Sequence, residues 1–141
     1  MNSEFHITER FGSDLKNLSI SAAMVKRCKK ELSLPEEIAQ KIDLAISEAV
    51  SNAIRHAEAS KEDGIVLSLK LKGQNLIIRV EDNGPGFDFD NVTEPDLENH
   101  PSGGYGIFLI KQVMDKVEYK RVGIINKLTM TKNIAFGESE N

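Results

Sequence analysis

Two runs of eight residues, Ile65-Val-Leu-Ser-Leu-Lys-Leu-Lys72 and Asn75-Leu-Ile-Ile-Arg-Val-Glu-Asp82, are separated by Gly73-Gln74 alone. In the first run Ile65, Leu67, Leu69 and Leu71 alternate with Val66, Ser68, Lys70 and Lys72. A period of two gives a strand with one buried face and one half-exposed face. The two-residue Gly-Gln connection folds the second run back antiparallel. Such a hairpin is not stable alone. Its apolar face needs a cover, and the rest of the sequence must supply it.

Helical spacing precedes the hairpin. Pro35 sits where a first helical turn tolerates it, followed by Glu36 and Glu37, which suit a helix N-terminus. Ile38, Ile42, Ala45, Ile46, Ala49, Ala53 and Ala57 then recur at steps of three and four, predicting a helix to about residue 59. An earlier stripe, Leu15, Leu18, Ala22, Val25, Cys28 and Leu32, predicts a helix that starts at an N-cap on Ser13 and ends near Ser33. Residues 4–11 alternate loosely, as an edge strand would. After the central hairpin, residues 83–102 have no stable period, 104–116 read as a helix, and 116–133 read as a second hairpin turning near Gly123. The order is strand, two helices, hairpin, loop, helix, hairpin. It predicts an α+β two-layer sandwich, a mixed, mainly antiparallel sheet with helices on one face. The 141 residues fit one domain, 1–141, with an ordered core over about 4–134 and a flexible C-terminal tail.

Charge and cysteine content exclude several classes. The net charge of −4 does not suit direct nucleic-acid binding. Lys26, Arg27, Lys29 and Lys30 form the one local basic group, either a solvated helix face or a surface for an acidic partner. The single cysteine, Cys28, forms no internal disulfide and fits a reducing compartment as a buried small residue. No signal peptide and no membrane-length apolar run are visible, so a cytoplasmic location is expected.

Three stretches carry chemistry. In Leu44-Ala-Ile-Ser-Glu-Ala-Val-Ser-Asn-Ala-Ile-Arg-His-Ala57, Glu48 and Asn52 stand four apart, on one helix face. Asn disfavours a helix interior, so its presence there calls for a reason. Its amide oxygen suits magnesium, and Glu48 one turn away suits deprotonation or orientation of a hydroxyl or water. A solvated face with Glu48 paired to Arg55 is the competing explanation. The second stretch, Arg79-Val-Glu-Asp-Asn-Gly-Pro-Gly-Phe-Asp88, places Asp82 at a strand end before Gly84 and Gly86. Glycine lets backbone approach a ligand closely, and Asp82 is suited to accept a hydrogen bond from an exocyclic purine amine. A plain glycine-rich turn would look similar. The third, Pro101-Ser-Gly-Gly-Tyr-Gly-Ile-Phe-Leu-Ile110, opens a helix with Gly103, Gly104 and Gly106. Free amides at a helix N-terminus attract phosphate; a flexible loop joined to a core helix is the alternative.

Taken in order, Glu-x-x-x-Asn, Asp-x-Gly-x-Gly and Gly-x-Gly resemble the ATP-binding (Bergerat) fold shared by gyrase-type ATPases, Hsp90, histidine kinases and MutL. The likeness spans roughly residues 5–133. It implies that Asp82, Gly84 and Gly86 meet adenine, that Asn52 holds magnesium, and that Gly103, Gly104, Tyr105, Gly106 and Ile107 wrap the phosphates of ATP. Glu48 is then the catalytic residue. "SEAVSNAIRHA", "VEDNGPGFD" and "GGYGIFLIKQVMDKVEY" resemble most closely the bacterial anti-sigma-factor serine kinases of the partner-switching type. That resemblance implies a sigma factor and a STAS-domain anti-sigma antagonist as partners, the antagonist being phosphorylated on serine, and a homodimer. It implies no direct nucleic-acid or membrane contact. One departure is notable: residues 82–102 hold no Lys or Arg, where related kinases often carry an arginine, and His100 is their one candidate cation. Arg55 and Lys111 are the candidate substitutes. A nucleotide-dependent binding module with little catalysis, and a simple ATP hydrolase, are the alternatives this departure leaves open.

Overall fold

The computed structural model describes residues 5–56, 64–86, 89 and 105–135. Five strands form one sheet: β1 (His6–Phe11), β2 (Ile65–Lys72), β3 (Asn75–Asp82), β4 (Lys116–Val122) and β5 (Ile125–Asn133). Their order across the sheet is β1-β2-β3-β5-β4, and all four pairings are antiparallel. Three helices, α1 (Leu18–Glu31), α2 (Glu36–His56) and α3 (Tyr105–Val113), complete the two layers. The expected α+β sandwich is the architecture observed.

The core lies where the two periodicities meet. Leu67, Leu69, Leu76, Ile78 and Met130 from the sheet and Ile42, Ala45, Ile46 and Val50 from α2 are all buried. Alanine at 45, 49 and 53 lets α2 lie close to the sheet, since a small side chain keeps the backbone near its neighbour. The half-exposed face of β2 and β3 carries Ser68, Lys70 and Arg79, as the alternation required. Gly73, at φ +64°, turns the central hairpin, and Gly123, at φ +63°, turns the last one.

Local corrections concern helix ends. The cap expected at Ser13 falls on Asp14, whose carboxylate accepts from the Lys16 amide at 3.0 Å. A short 3-10 turn, Leu15–Asn17, follows before α1 begins at Leu18. Leu15 therefore precedes the helix and is 60% exposed instead of belonging to its apolar stripe. Ala22 is exposed as well, and Ser21 and Met24 are buried beside Val25 and Cys28. The early turn rotates the stripe; Ser21 is accommodated because its hydroxyl donates to the Leu18 carbonyl at 2.9 Å. At the start of α2 the Pro35 carbonyl accepts from the Ala39 amide at 3.0 Å, which fits the proposed proline start. The expected end of α2 near 59 and the tail after 135 lie outside the described residues. Helix α3 ends at Val113, short of 116, because the Asp115 amide bonds to the Thr131 carbonyl at 2.9 Å and commits the chain to β4.

Cys28 is buried as expected, and burial, aided by nearby Glu31, pushes its thiol up to about 12. The basic group on α1 is partly engaged: Arg27 pairs with Glu31 at 2.5 Å, and Lys29 pairs with Glu36 on α2.

Candidate functional site: a cleft between α2 and the end of the sheet

The cleft is built from three rows of residues. Val80, Leu128 and Tyr119 form one row across β3, β5 and β4, and Asp82, Asn126 and Arg121 form the next. Above them α2 contributes Ala49, Asn52, Ala53 and His56. Together with Gly86 these residues, Arg121 apart, line one small open cleft. Ala49, Ala53, Val80 and Leu128 give it apolar walls, and Asn52, His56, Asp82, Tyr119 and the buried Asn126 supply polar groups.

Asp82 ends β3 because the glycine turn begins there. Its Oδ1 accepts from the Gly84 amide at 2.8 Å and from Asn126 Nδ2 at 2.8 Å. The first bond is the local Asx turn that Asp-Asn-Gly favours. The second comes from a residue that is 1% exposed, on the strand directly opposite. Gly86 has φ +84°, and a Cβ there would lie 3.0 Å from Asn126 Oδ1 and 3.1 Å from both Arg121 Nη1 and Tyr119 Oη. Glycine is required at this point by conformation and by space.

On α2, Asn52 faces the cleft, and Arg55 Nη2 stands 3.5 Å from its Oδ1. Glu48, one turn earlier, approaches the start of α3: a Cβ on Gly106 would lie 3.0 Å from Glu48 Oε1. Ile107 is buried in the core and anchors that helix. The structure thus draws Asn52, Asp82 and Gly86 around one cleft and sets Glu48 against Gly106 beside it. Gly84 is buried and its carbonyl points into the Asn126–Arg121 network. Gly103, Gly104 and His100 lie outside the described residues, as does the side chain of Tyr105. Of the two candidate cations, Arg55 stands beside Asn52, whereas Lys111 Nζ sits 4.3 Å above the Phe89 ring.

Sequence reasoning missed His56, Tyr119, Arg121 and Asn126. Asn126 was detectable in principle, because it occupies an inward position of β5 in register with Leu128 and Met130. A polar residue on the buried face of an alternating strand needs a partner. Arg121 was not detectable, because its strand position is exposed and only the row across the sheet brings it inward.

A single amide oxygen, Asn52 Oδ1, is the kind of hard donor that magnesium takes alongside phosphates and waters. No cluster of three or more His, Cys, Asp or Glu capable of holding a metal occurs among the described residues. That donor would fit a magnesium ion that brings its remaining ligands with it. No helix among the described residues is long and apolar enough to cross a membrane.

Comparison with known proteins agrees with this geometry. Residues 11–132 match the histidine kinase-like ATPase domain family. A serine-protein kinase RsbW from Listeria innocua is 34% identical over 108 residues, covering 70% of this chain and 68% of that protein. One from Oceanobacillus iheyensis is 30% identical over 109 residues, with the same coverage. The RsbU and RsbW domains of a Mycobacterium tuberculosis protein superpose with a TM-score of 0.71 at 18% identity, over 92% of this chain and 32% of that one. The present chain thus spans about a third of that structure, and at this identity the likeness concerns the fold. The same holds for the SiaB–SiaC complex of Pseudomonas aeruginosa, with a TM-score of 0.67 at 8% identity over 92% of this chain and 89% of that one. With a family match over most of its length, and relatives at 30–34% identity that it largely covers, the chain belongs to the histidine kinase-like ATPases, in the group of bacterial RsbW-type serine-protein kinases.

Proposed function

We propose that this chain is a magnesium- and ATP-dependent protein-serine kinase of the cytoplasm that binds a sigma factor and phosphorylates a serine of a STAS-domain anti-sigma antagonist. The observation that carries the reading is the convergence of Asp82, Asn52 and Glu48 from two elements onto one end of the molecule. Asp82 accepts the amino group of adenine, and the apolar walls of Val80, Ala49 and Leu128 take the base. Asn52 Oδ1 holds the magnesium ion of the nucleotide, and Gly103, Gly104 and Gly106 leave room for the phosphates. Bound magnesium neutralises charge on the phosphates and orients them.

Glu48 then serves as the base. It accepts the proton of the incoming serine hydroxyl as that oxygen bonds to the γ-phosphorus and the bond to the β-phosphate oxygen breaks, giving phosphoserine and ADP. Gly106 matters here, because a larger residue would displace the carboxylate from this position. Phosphoryl transfer also needs cationic charge near the γ-phosphate. With no Lys or Arg in residues 82–102, Arg55 is the side chain we assign to that role.

Incubation with γ-labelled ATP, magnesium and a STAS-domain antagonist tests this reading. Label on the antagonist's serine is the expected result. Tight nucleotide binding without transfer would establish a nucleotide-gated binding module instead, and free phosphate without a labelled protein would establish a hydrolase. We further assign a homodimer as the working assembly, with the partners docking on it; sedimentation of the purified chain decides this.

A further inference from the structure

Asp82 is held by more than its own turn. Asn126 uses both amide hydrogens: Nδ2 donates to Asp82 Oδ1 at 2.8 Å and to the Gly84 carbonyl at 3.0 Å. Its Oδ1 accepts from Arg121 Nη1 at 2.7 Å, and the same Nη1 donates to the Gly84 carbonyl at 2.8 Å. Asp82, Asn126 and Arg121 are direct cross-strand neighbours on β3, β5 and β4, so the register of the sheet places them in line.

The amide of Asn126 is nearly symmetric in shape but not in chemistry. Turned over, it would set its oxygen against the Asp82 carboxylate and the Gly84 carbonyl, three acceptors together. Arg121 forbids that state, because a guanidinium only donates and its partner on Asn126 must be the oxygen. We infer that Arg121 and Asn126 are positioning residues that fix the Asp82 carboxylate for base selection. The two bonds to Asp82 both end on Oδ1, and neither engages Oδ2. Oδ2 is the atom that meets the base, and a fixed acceptor there favours a purine with an amine at C6 over one with a carbonyl. Gly86 closes the arrangement, since the turn passes directly over Asn126 Oδ1 and Arg121 Nη1.

This inference rests on the adenine-binding role proposed above and concerns how that role achieves selectivity. The test compares calorimetric Kd values for magnesium ADP and magnesium IDP, which differ at C6, on the full chain and its variants. Wild-type chain is expected to bind ADP more tightly than IDP. Arg121→Met should lower the ratio of the two constants about tenfold, the size expected when a hydrogen bond to a charged group is lost. Most of that change should come from weaker ADP binding, with IDP little affected. Arg121→Lys retains a donor for Asn126 Oδ1 and should recover much of the ratio. Asn126→Ser is the second variant and should lower the ratio as well, whatever the folding of Arg121→Met. A merely structural role would weaken both nucleotides in proportion and leave the ratio unchanged; that result overturns the inference while the nucleotide site stands. Wild-type chain that binds neither nucleotide removes the site itself, and the inference with it.

Discussion

Glu48 and Gly106 meet edge to edge: a Cβ on Gly106 would lie 3.0 Å from Glu48 Oε1, so any side chain there must displace the carboxylate. Helix α2 and the first turn of α3 are therefore in register through a missing side chain. Gly106→Ala should push the carboxylate aside by a few tenths of an ångström. We expect phosphoryl transfer to slow at least tenfold, because base catalysis depends on hydrogen-bond reach. Melting temperature should change little, since the displaced group is the end of a flexible side chain. Single-turnover kinetics beside a thermal melt check both halves.

Glu48→Gln keeps the shape and removes the proposed base. Transfer should fall by about 10²–10⁴-fold with ADP affinity nearly unchanged. An unaltered transfer rate would refute the assignment of the base. Asn52→Ala should show the opposite pattern, with magnesium-dependent nucleotide affinity falling about tenfold in calorimetry.

Arg55→Ala should reduce the transfer rate more than ADP affinity, because the role proposed for its charge is at the terminal phosphate. Lys111→Ala should leave transfer intact, as Lys111 Nζ is engaged over the Phe89 ring. Equal loss in the two variants would place the missing cation elsewhere.

Gly73 and Gly86 both have positive φ, but only Gly86 is crowded. Gly73→Ala should cost about 1 kcal/mol from backbone strain alone. Gly86→Ala adds collisions with Asn126, Arg121 and Tyr119 and should cost about 2 kcal/mol or more, with loss of nucleotide affinity. Urea denaturation of both variants measures the difference.

Cys28 gives a pH dependence with a definite sign. Its folded-state pKa is raised from 9.0 to about 12 by burial, so the unfolded chain loses this proton first. Below about pH 9 the thiol has no effect. Between pH 9 and 12 stability should fall with a limiting slope of about 1.4 kcal/mol per pH unit. Cys28→Ala should lose that component of the alkaline slope. In the native chain the thiol should resist alkylation at pH 8 and react fast once denatured.

The fold was legible because its two periods are clean. The alternation of 65–72 and the three-four spacing of 36–56 each specify one buried face, and the two faces fit one another. The start of α1 was not legible, because Leu15 has the correct spacing but Asp14 caps a 3-10 turn before the helix begins. The site was half legible. Asn52 announces itself as a residue type that a helix interior disfavours, Glu48 by its four-residue spacing from it, and Asp82 and Gly86 by the glycine-rich turn that ends β3. Arg121 and Asn126 do not, because their partners lie across the sheet, 37 to 44 residues away in sequence.

The order of strands also bears on synthesis. Strand β5 lies between β3 and β4 but is the last of the five to be made. Until it inserts, the Asp82 carboxylate lacks Asn126 and the sheet has a gap beside β3. In a nascent chain the proposed base pocket thus stays incomplete until β5 is in place. Unfinished subunits would then hold no nucleotide, and competence would arrive in one step with the closing of the sheet.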